Sequence, residues 1–286
     1  MVLESINLKR YKKSHGRENQ FFITSYIGIS KIQSVDDKPD DLRTSWKPQN
    51  IQSAKEEAKL FVQRSSLVYS VSAFEAYLSD FIVSQIIPLN VIKTEELANV
   101  FLGKSISKKI EVLTTEAPEL KNIKEYYLTI TSIYWRNKLI HHVGRKLSGD
   151  IKGNLKSHRE GFEEDYCKLN IEELIEHYDI DKVPTYKETL SMMSSLRNFA
   201  HKIDGYFMSR YHVEYIVHNI KRLIKEGKIK RIDFSQNENK RIIFWTNVFQ
   251  VHLRMNVNDE LRSLDIWNSL VSAKSRQELD KILSII

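Results

Sequence analysis

One cysteine, Cys167, in 286 residues excludes an internal disulfide and a cysteine-rich zinc site. The nine histidines could hold a metal only together with carboxylates. No run of about 18 apolar residues occurs, and the start, MVLESINLKRYKKSHGREN, lacks the apolar centre of a secretory signal. Membrane insertion and export are therefore not expected, and the cytoplasm is the expected compartment. Five prolines and nine glycines leave little material for loops, which predicts a helix-dominated chain. A P-loop, a dinucleotide fingerprint, a GxSxG elbow and a repeat of fixed period are missing. So is a paired-carboxylate motif, which disfavours metal-dependent nuclease chemistry.

What is present is a 41% hydrophobic fraction, enough to pack one large domain or two of ordinary size. The net charge is +7 and the pI about 9.2, a balance that favours an anionic partner such as nucleic acid. The excess is concentrated. Between Lys221 and Arg241 eight Lys or Arg stand against three acids. That segment reads either as an electrostatic footprint, carried by Lys221, Arg222, Lys225, Lys240 and Arg241, or as a solvated helix end and edge hairpin.

Residues 1–49 read as an appendage, because FFITSYIGISKI has the β-branched and aromatic content of a strand and VDDKPDD that of a polar turn. From Asn50 a long helix is predicted, ending at Pro88. A second spans roughly 94–115, with Thr94 as cap and Glu95 and Glu96 in its first turn, and a third runs from about Pro118 to Val143. The polar stretch 144–168 reads as a long exposed excursion. Helices follow at about 171–178, 186–203 and 211–226. Then KIKRIDF, SQNENK and RIIFWTNVF read as strand, turn and strand, and SRQELDKILSII as a last helix.

The third helix ends in Y134-W-R-N-K-L-I-H-H142. At about 100° per residue, Tyr127, Ile130, Tyr134, Asn137 and His141 all fall within roughly 40° of Ile123, which places Asn137 and His141 on the apolar stripe. Arg136 lies about 140° from that stripe. It must reach round the helix, or meet its counterpart across a dimer. A histidine that exchanges a proton near neutral pH, beside an arginine fork that holds phosphate, is the minimum equipment for cutting RNA. The RNA 2′-hydroxyl is its own nucleophile, so no metal or other cofactor is required. The plain structural alternative is a satisfied core or interface pair.

R136-N-K-L-I-H141 resembles the R-x4-6-H signature, with a polar residue straight after the arginine, of the HEPN superfamily of helical bundles. S72-A-F-E-A-Y-L-S-D80 resembles the first long helix of its prokaryotic nuclease-like branches, and the likeness extends over roughly residues 50–225. The resemblance implies an all-helical domain that dimerises, with the two motif helices forming one cleft. Such a cleft acts as a metal-independent endoribonuclease leaving a cyclic phosphate, in toxins and abortive-infection systems among others. On this reading Arg136 binds or polarises the scissile phosphate, His141 is acid or base, and Asn137 supports them. His142 leaves open which imidazole works, and Glu75 is an accessory candidate for orienting Arg136.

S195-L-R-N-F-A-H-K202 is the rival site, with Arg197, His201 and Asp204 on one helix face; its alternative is a surface polar network. Y211 to T246 resembles the last helix and wing of a winged-helix domain. The expected organisation is thus mainly α: an appendage over 1–49, a HEPN-like helical bundle over 50–225, and a C-terminal hairpin and helix over 226–286, winged-helix-like together with 205–225. Two function classes compete. One is a HEPN-type ribonuclease with RNA as substrate, a homodimer, and a regulatory protein as a further candidate partner. The other is a non-catalytic helical module that binds nucleic acid or protein.

Overall fold

The computed structural model describes residues 4–86, 105–141, 145–229, 231–253, 255, 257 and 259–284. Pro88, the proposed cap Thr94 with Glu95 and Glu96, and His142 lie outside them. Among the described residues the structure is helical and contains no strand. None of these helices is long and apolar enough to cross a membrane. Two compact units divide the chain. The motif unit comprises Tyr11–Leu78 and Ser105–Ala200, and the C-terminal unit Met1–Arg10, Ser79–Lys104 and His201–Ile286.

The N-terminal strand is a correction. Residues Ile6–Lys31 form one helix, α1. Its buried positions, Leu8, Tyr11, His15, Glu18 and Phe22, recur every three or four residues. Strand propensity is worth about 1 kcal/mol at most and cannot compete with burying such a stripe. The β-branched residues Thr24 and Ile27 are simply left exposed. The second helix, α2 (Ile51–Phe81), begins where Asn50 Oδ1 accepts the Ser53 N–H at 3.0 Å, and buries Leu67, Val71, Phe74, Tyr77, Leu78 and Phe81 on one side. It continues into a wider π-type turn, Ile82–Ile86.

In the motif unit α3 (Ile106–Glu116) and a 3-10 turn at Pro118–Lys121 lead to α4 (Lys124–His141), the helix carrying the motif. Every residue of α4 from Tyr127 to Ile133 is buried, so its middle is enclosed all round. The expected exposed excursion over 144–168 is the second correction. It folds into α5 (Gly149–Ser157), capped by the Ser148 hydroxyl, and α6 (Arg159–Asp165). Both are amphipathic with few apolar residues, and Leu147, Leu155, Phe162, Tyr166 and Leu169 supply the buried anchors. Asn170 then caps α7 (Ile171–Asp179) by accepting from the Glu172 and Glu173 N–H groups.

The long helix α8 (Tyr186–Lys225) starts with a capping box, Thr185 and Glu188 exchanging hydrogen bonds with each other's backbone N–H. It is one run where two helices are expected. The expected break survives as the non-helical backbone of Tyr211, φ −124° and ψ 27°. Gly227, at φ +66°, ends α8 in the left-handed conformation open to glycine.

The C-terminal hairpin is the third correction. Residues 231–237 have no regular structure and Glu238–Asn247 is a helix, α9, capped by Asn237. Arg241, Trp245, Val248 and Phe249 are buried at intervals of three and four, a helical period that overrides the strand-like composition of RIIFWTNVF. Three short helices follow: α10 (Asp259–Arg262), α11 (Asp265–Ser272) and α12 (Arg276–Ser284). With α8 they enclose a core that includes Ile216, Ile220, Trp245, Phe249, Trp267, Leu270 and Leu279. Among the described residues no wing of two strands is formed.

Candidate functional site

The last described turn of α4 is pinned through Trp135 and Lys138. Trp135 is buried, donates its indole N–H to the Lys182 carbonyl at 3.2 Å and meets Tyr178 of α7 edge to face. Lys138 donates to the Tyr178 carbonyl at 2.7 Å and to Asp181 Oδ1 at 2.6 Å, with its ammonium 3.9 Å from the Tyr178 ring centre. On the helical wheel these two residues occupy one side, and Arg136, Asn137, Ile140 and His141 the other. Two anchors thus hold the backbone of the motif while its remaining side chains stay available.

Those side chains are graded in exposure. Arg136 and Asn137 are half-buried, whereas Ile140 and His141 are exposed. The stripe that runs through Tyr127, Ile130 and Tyr134 therefore does not stay buried to its end. The helix outruns the layers that cover its middle, so His141 faces solvent and not a neighbouring helix. Arg136 Nη1 donates to Asn137 Oδ1 at 3.1 Å, and its Nε is buried without a partner. Among the described residues no carboxylate lies within ion-pair distance of Arg136. Its charge is therefore not offset by a carboxylate there, and its Nη2 donors remain for an incoming acceptor, whereas the buried Nε–H is out of reach. Arg136 and His141 make no direct contact with each other.

Glu75 does not orient Arg136. It is half-buried on α2 and forms an ion pair with Lys109 of α3 at 3.2 Å. The rival site is also rearranged. Arg197 is exposed on α8, but Asp204 is fully buried and accepts from the Ser5 backbone N–H at 2.9 Å and from the Ser5 hydroxyl. His201 Nε2 lies 3.5 Å from Glu4 Oε1. Asp204 and His201 thus anchor the start of α1 inside the C-terminal unit. The expected surface network of Arg197, His201 and Asp204 is not formed.

The residues of the expected basic footprint differ in exposure. Lys221, Arg222, Lys225 and Lys240 are exposed. Lys221 and Lys225 line a shallow cavity of about 270 Å³ with Arg276, whose charge is engaged by Asp280 at 2.9 Å. Arg222 Nη2 donates to Asn219 Oδ1 at 3.0 Å. Arg241 is a correction: it is buried, donates from Nε to the Val271 carbonyl at 2.6 Å and from Nη1 to the Ser235 carbonyl, and cannot meet a phosphate.

The sequence reading missed His218. It shares one face of α8 with Lys221, Arg222 and Lys225 at i+3, i+4 and i+7, a spacing that was open to inspection. Burial, together with the Arg222 and Lys221 charges, holds its imidazole below the ordinary pKa.

No protein-family model matches the chain, and no curated protein or solved structure matches it either.

Proposed function

We propose that the chain is a metal-independent endoribonuclease of the HEPN type, a toxin or phage-defence effector that works as a homodimer. The observation that carries this reading is the one-sided anchoring of the α4 end. Trp135 and Lys138 fix the backbone, while Arg136, without a carboxylate partner, and exposed His141 are presented on the free side. Along an ideal helix five residues rise about 7.5 Å, and the two side chains start about 140° apart, so facing motifs from two copies bring arginine and histidine together more easily than one copy does. Exposed Ile140, beside His141, gives such a contact an apolar centre.

In this mechanism one neutral imidazole takes the proton of the RNA 2′-hydroxyl as O2′ attacks the adjacent phosphorus. The O5′ of the next nucleotide leaves and receives a proton from a second imidazolium. The products are a 2′,3′-cyclic phosphate and a 5′-hydroxyl. Arg136 offsets the charge gathering on the non-bridging oxygens, and Asn137 steadies its guanidinium. Lys221, Arg222 and Lys225, exposed on the C-terminal unit, offer further contacts to RNA phosphates without reading sequence.

The test is cleavage of a mixed RNA pool in EDTA by the wild type, His141→Ala and Arg136→Ala. His141 is exposed, so its replacement leaves the fold intact and costs on the order of 10²–10⁴ in rate. Cleavage that stops on chelation, or that survives His141→Ala unchanged, rules out this mechanism. A second reading, a non-catalytic helical binding module, rests on the lack of contact between Arg136 and His141 within one chain. It gains if folded wild type binds RNA and cuts none.

A further inference from the structure

A second candidate site lies in the motif unit, away from α4. Between α1 and α2 runs a groove of about 550 Å³, within the range typical of small-molecule sites. It exists because the facing positions are small: Ser14 and Ser25 on α1, Ser65 and Ser66 on α2. Larger apolar side chains there would close the gap. Of the aromatic residues that border it Phe22 is buried, whereas Phe21, Phe61 and Tyr69 stay 69%, 70% and 59% exposed. Three aromatic rings exposed around one concavity make an unusual monomer surface and mark a binding face.

The floor carries a specific polar group. Glu18 lines the groove while being only 8% exposed. Its Oε1 accepts the Ser14 hydroxyl at 3.1 Å and its Oε2 the Ser70 hydroxyl at 3.3 Å. Each oxygen of a carboxylate has two acceptor positions, so one remains on each, held in a fixed plane. That is the complement of a fork of two parallel N–H donors. Arg17, exposed at the same groove, makes no ion pair among the described residues.

Two common chemical groups present such a fork, the guanidinium of an arginine and the N1–H and N2–H edge of guanine. Charge decides between them. The Arg17 cation already acts on the Glu18 carboxylate at this groove and opposes a second guanidinium, whereas a guanine nucleotide brings a neutral base to Glu18 and an anionic phosphate to Arg17. Flat aromatic rings also suit a base, whose faces stack on them. We propose that this groove binds a free guanine nucleotide, with the base edge on Glu18, the base face on Phe21, Phe61 or Tyr69, and the phosphate on Arg17. The inference is independent of the ribonuclease reading.

Calorimetric titration of the full chain with GMP, AMP, guanosine and agmatine tests it. GMP is expected to bind at least about tenfold more tightly than AMP, because adenine leaves the buried carboxylate without matched donors. Guanosine should bind more weakly than GMP, by an amount that Arg17→Ala removes. Glu18→Gln, which keeps the volume but donates where an acceptor is needed, should abolish the preference for GMP. Phe61→Ala should weaken binding on the order of tenfold. Phe61 is exposed, and Glu18→Gln removes a buried charge, so both variants should keep the wild-type circular dichroism spectrum. Ile180→Ala, at an exposed apolar residue on another part of the surface, should change nothing. Equal binding of GMP and AMP, preference for agmatine, or no binding of GMP at millimolar concentration each overturns the proposal.

Discussion

Replacing Arg241 by alanine should destabilise the C-terminal unit without touching nucleic-acid binding directly. The side chain is 3% exposed, and its guanidinium joins two carbonyls, Ser235 in the coil before α9 and Val271 near the end of α11. Hydrogen bonds from a charged donor contribute about 1.5–3 kcal/mol each, and two carbonyls would lose their partner. Relief of the guanidinium's own desolvation offsets part of this, so the net cost is on the order of 3 kcal/mol. Urea unfolding followed by tryptophan fluorescence measures it, since Trp245 and Trp267 are buried in the same core. With a urea dependence of about 1–3 kcal/mol per molar, the midpoint should fall by roughly 1–3 M. Lys240→Ala, one residue away but exposed, should leave the midpoint within about 0.5 kcal/mol of wild type. The reasoning fails if Arg241→Ala unfolds like wild type while its RNA affinity loses salt dependence, the slope of log K on log salt changing by about 0.7, as expected of a phosphate contact on a single strand.

Phe162→Ala should cost about 3–5 kcal/mol by the same urea titration, because its ring is fully buried although the surrounding sequence is polar; a loss under about 1 kcal/mol would mean that α6 does not pack as described. Asn170→Ala removes the cap that holds the Glu172 and Glu173 N–H groups and should cost about 1 kcal/mol, with Asn170→Asp restoring most of it. His15 is buried with its Nε2 2.8 Å from the Met193 carbonyl, and burial, aided by the Arg197 charge, keeps its imidazole below the ordinary pKa of 6.5. The unfolded chain therefore takes up the proton first as pH falls, so stability is lost from about pH 6.5 downward until the folded-state pKa is passed. Urea midpoints measured against pH should flatten over that window in His15→Gln, and parallel curves for the two proteins would refute the assignment.

Much of the helical framework was legible because its signals are local. The start of α2 at Asn50, the motif helix ending near His141, α7 after Asn170 and the irregular backbone near Tyr211 all follow from caps and apolar periods within a few residues. The T185-Y-K-E188 capping box could also have been read directly. The failures have one origin. FFITSYIGISKI and RIIFWTNVF are rich in β-branched and aromatic residues, yet each also carries apolar positions three and four apart. Composition and period disagreed, and packing settled the matter for the period. The same holds for 144–168, where a few anchors, Leu155 and Phe162 among them, outweigh a polar majority.

Local sequence patterns suffice for a helical chain, basic toward its C-terminal third, with an arginine and a histidine near one helix end. Which of its charged residues are available was decided only by tertiary structure. Arg241 and Asp204 are buried because carbonyls or backbone N–H groups from distant parts of their own unit surround them. Lys138 is taken up by Tyr178 and Asp181, whereas Arg136, two residues earlier, has no counter-charge among the described residues. The α1/α2 groove likewise needed the fold, since Ser14, Glu18 and Ser70 become one carboxylate site only when two helices lie side by side. Local patterns choose the element; the contacts between elements, which depend on residues far apart in the chain, choose which polar groups are satisfied and which remain to act.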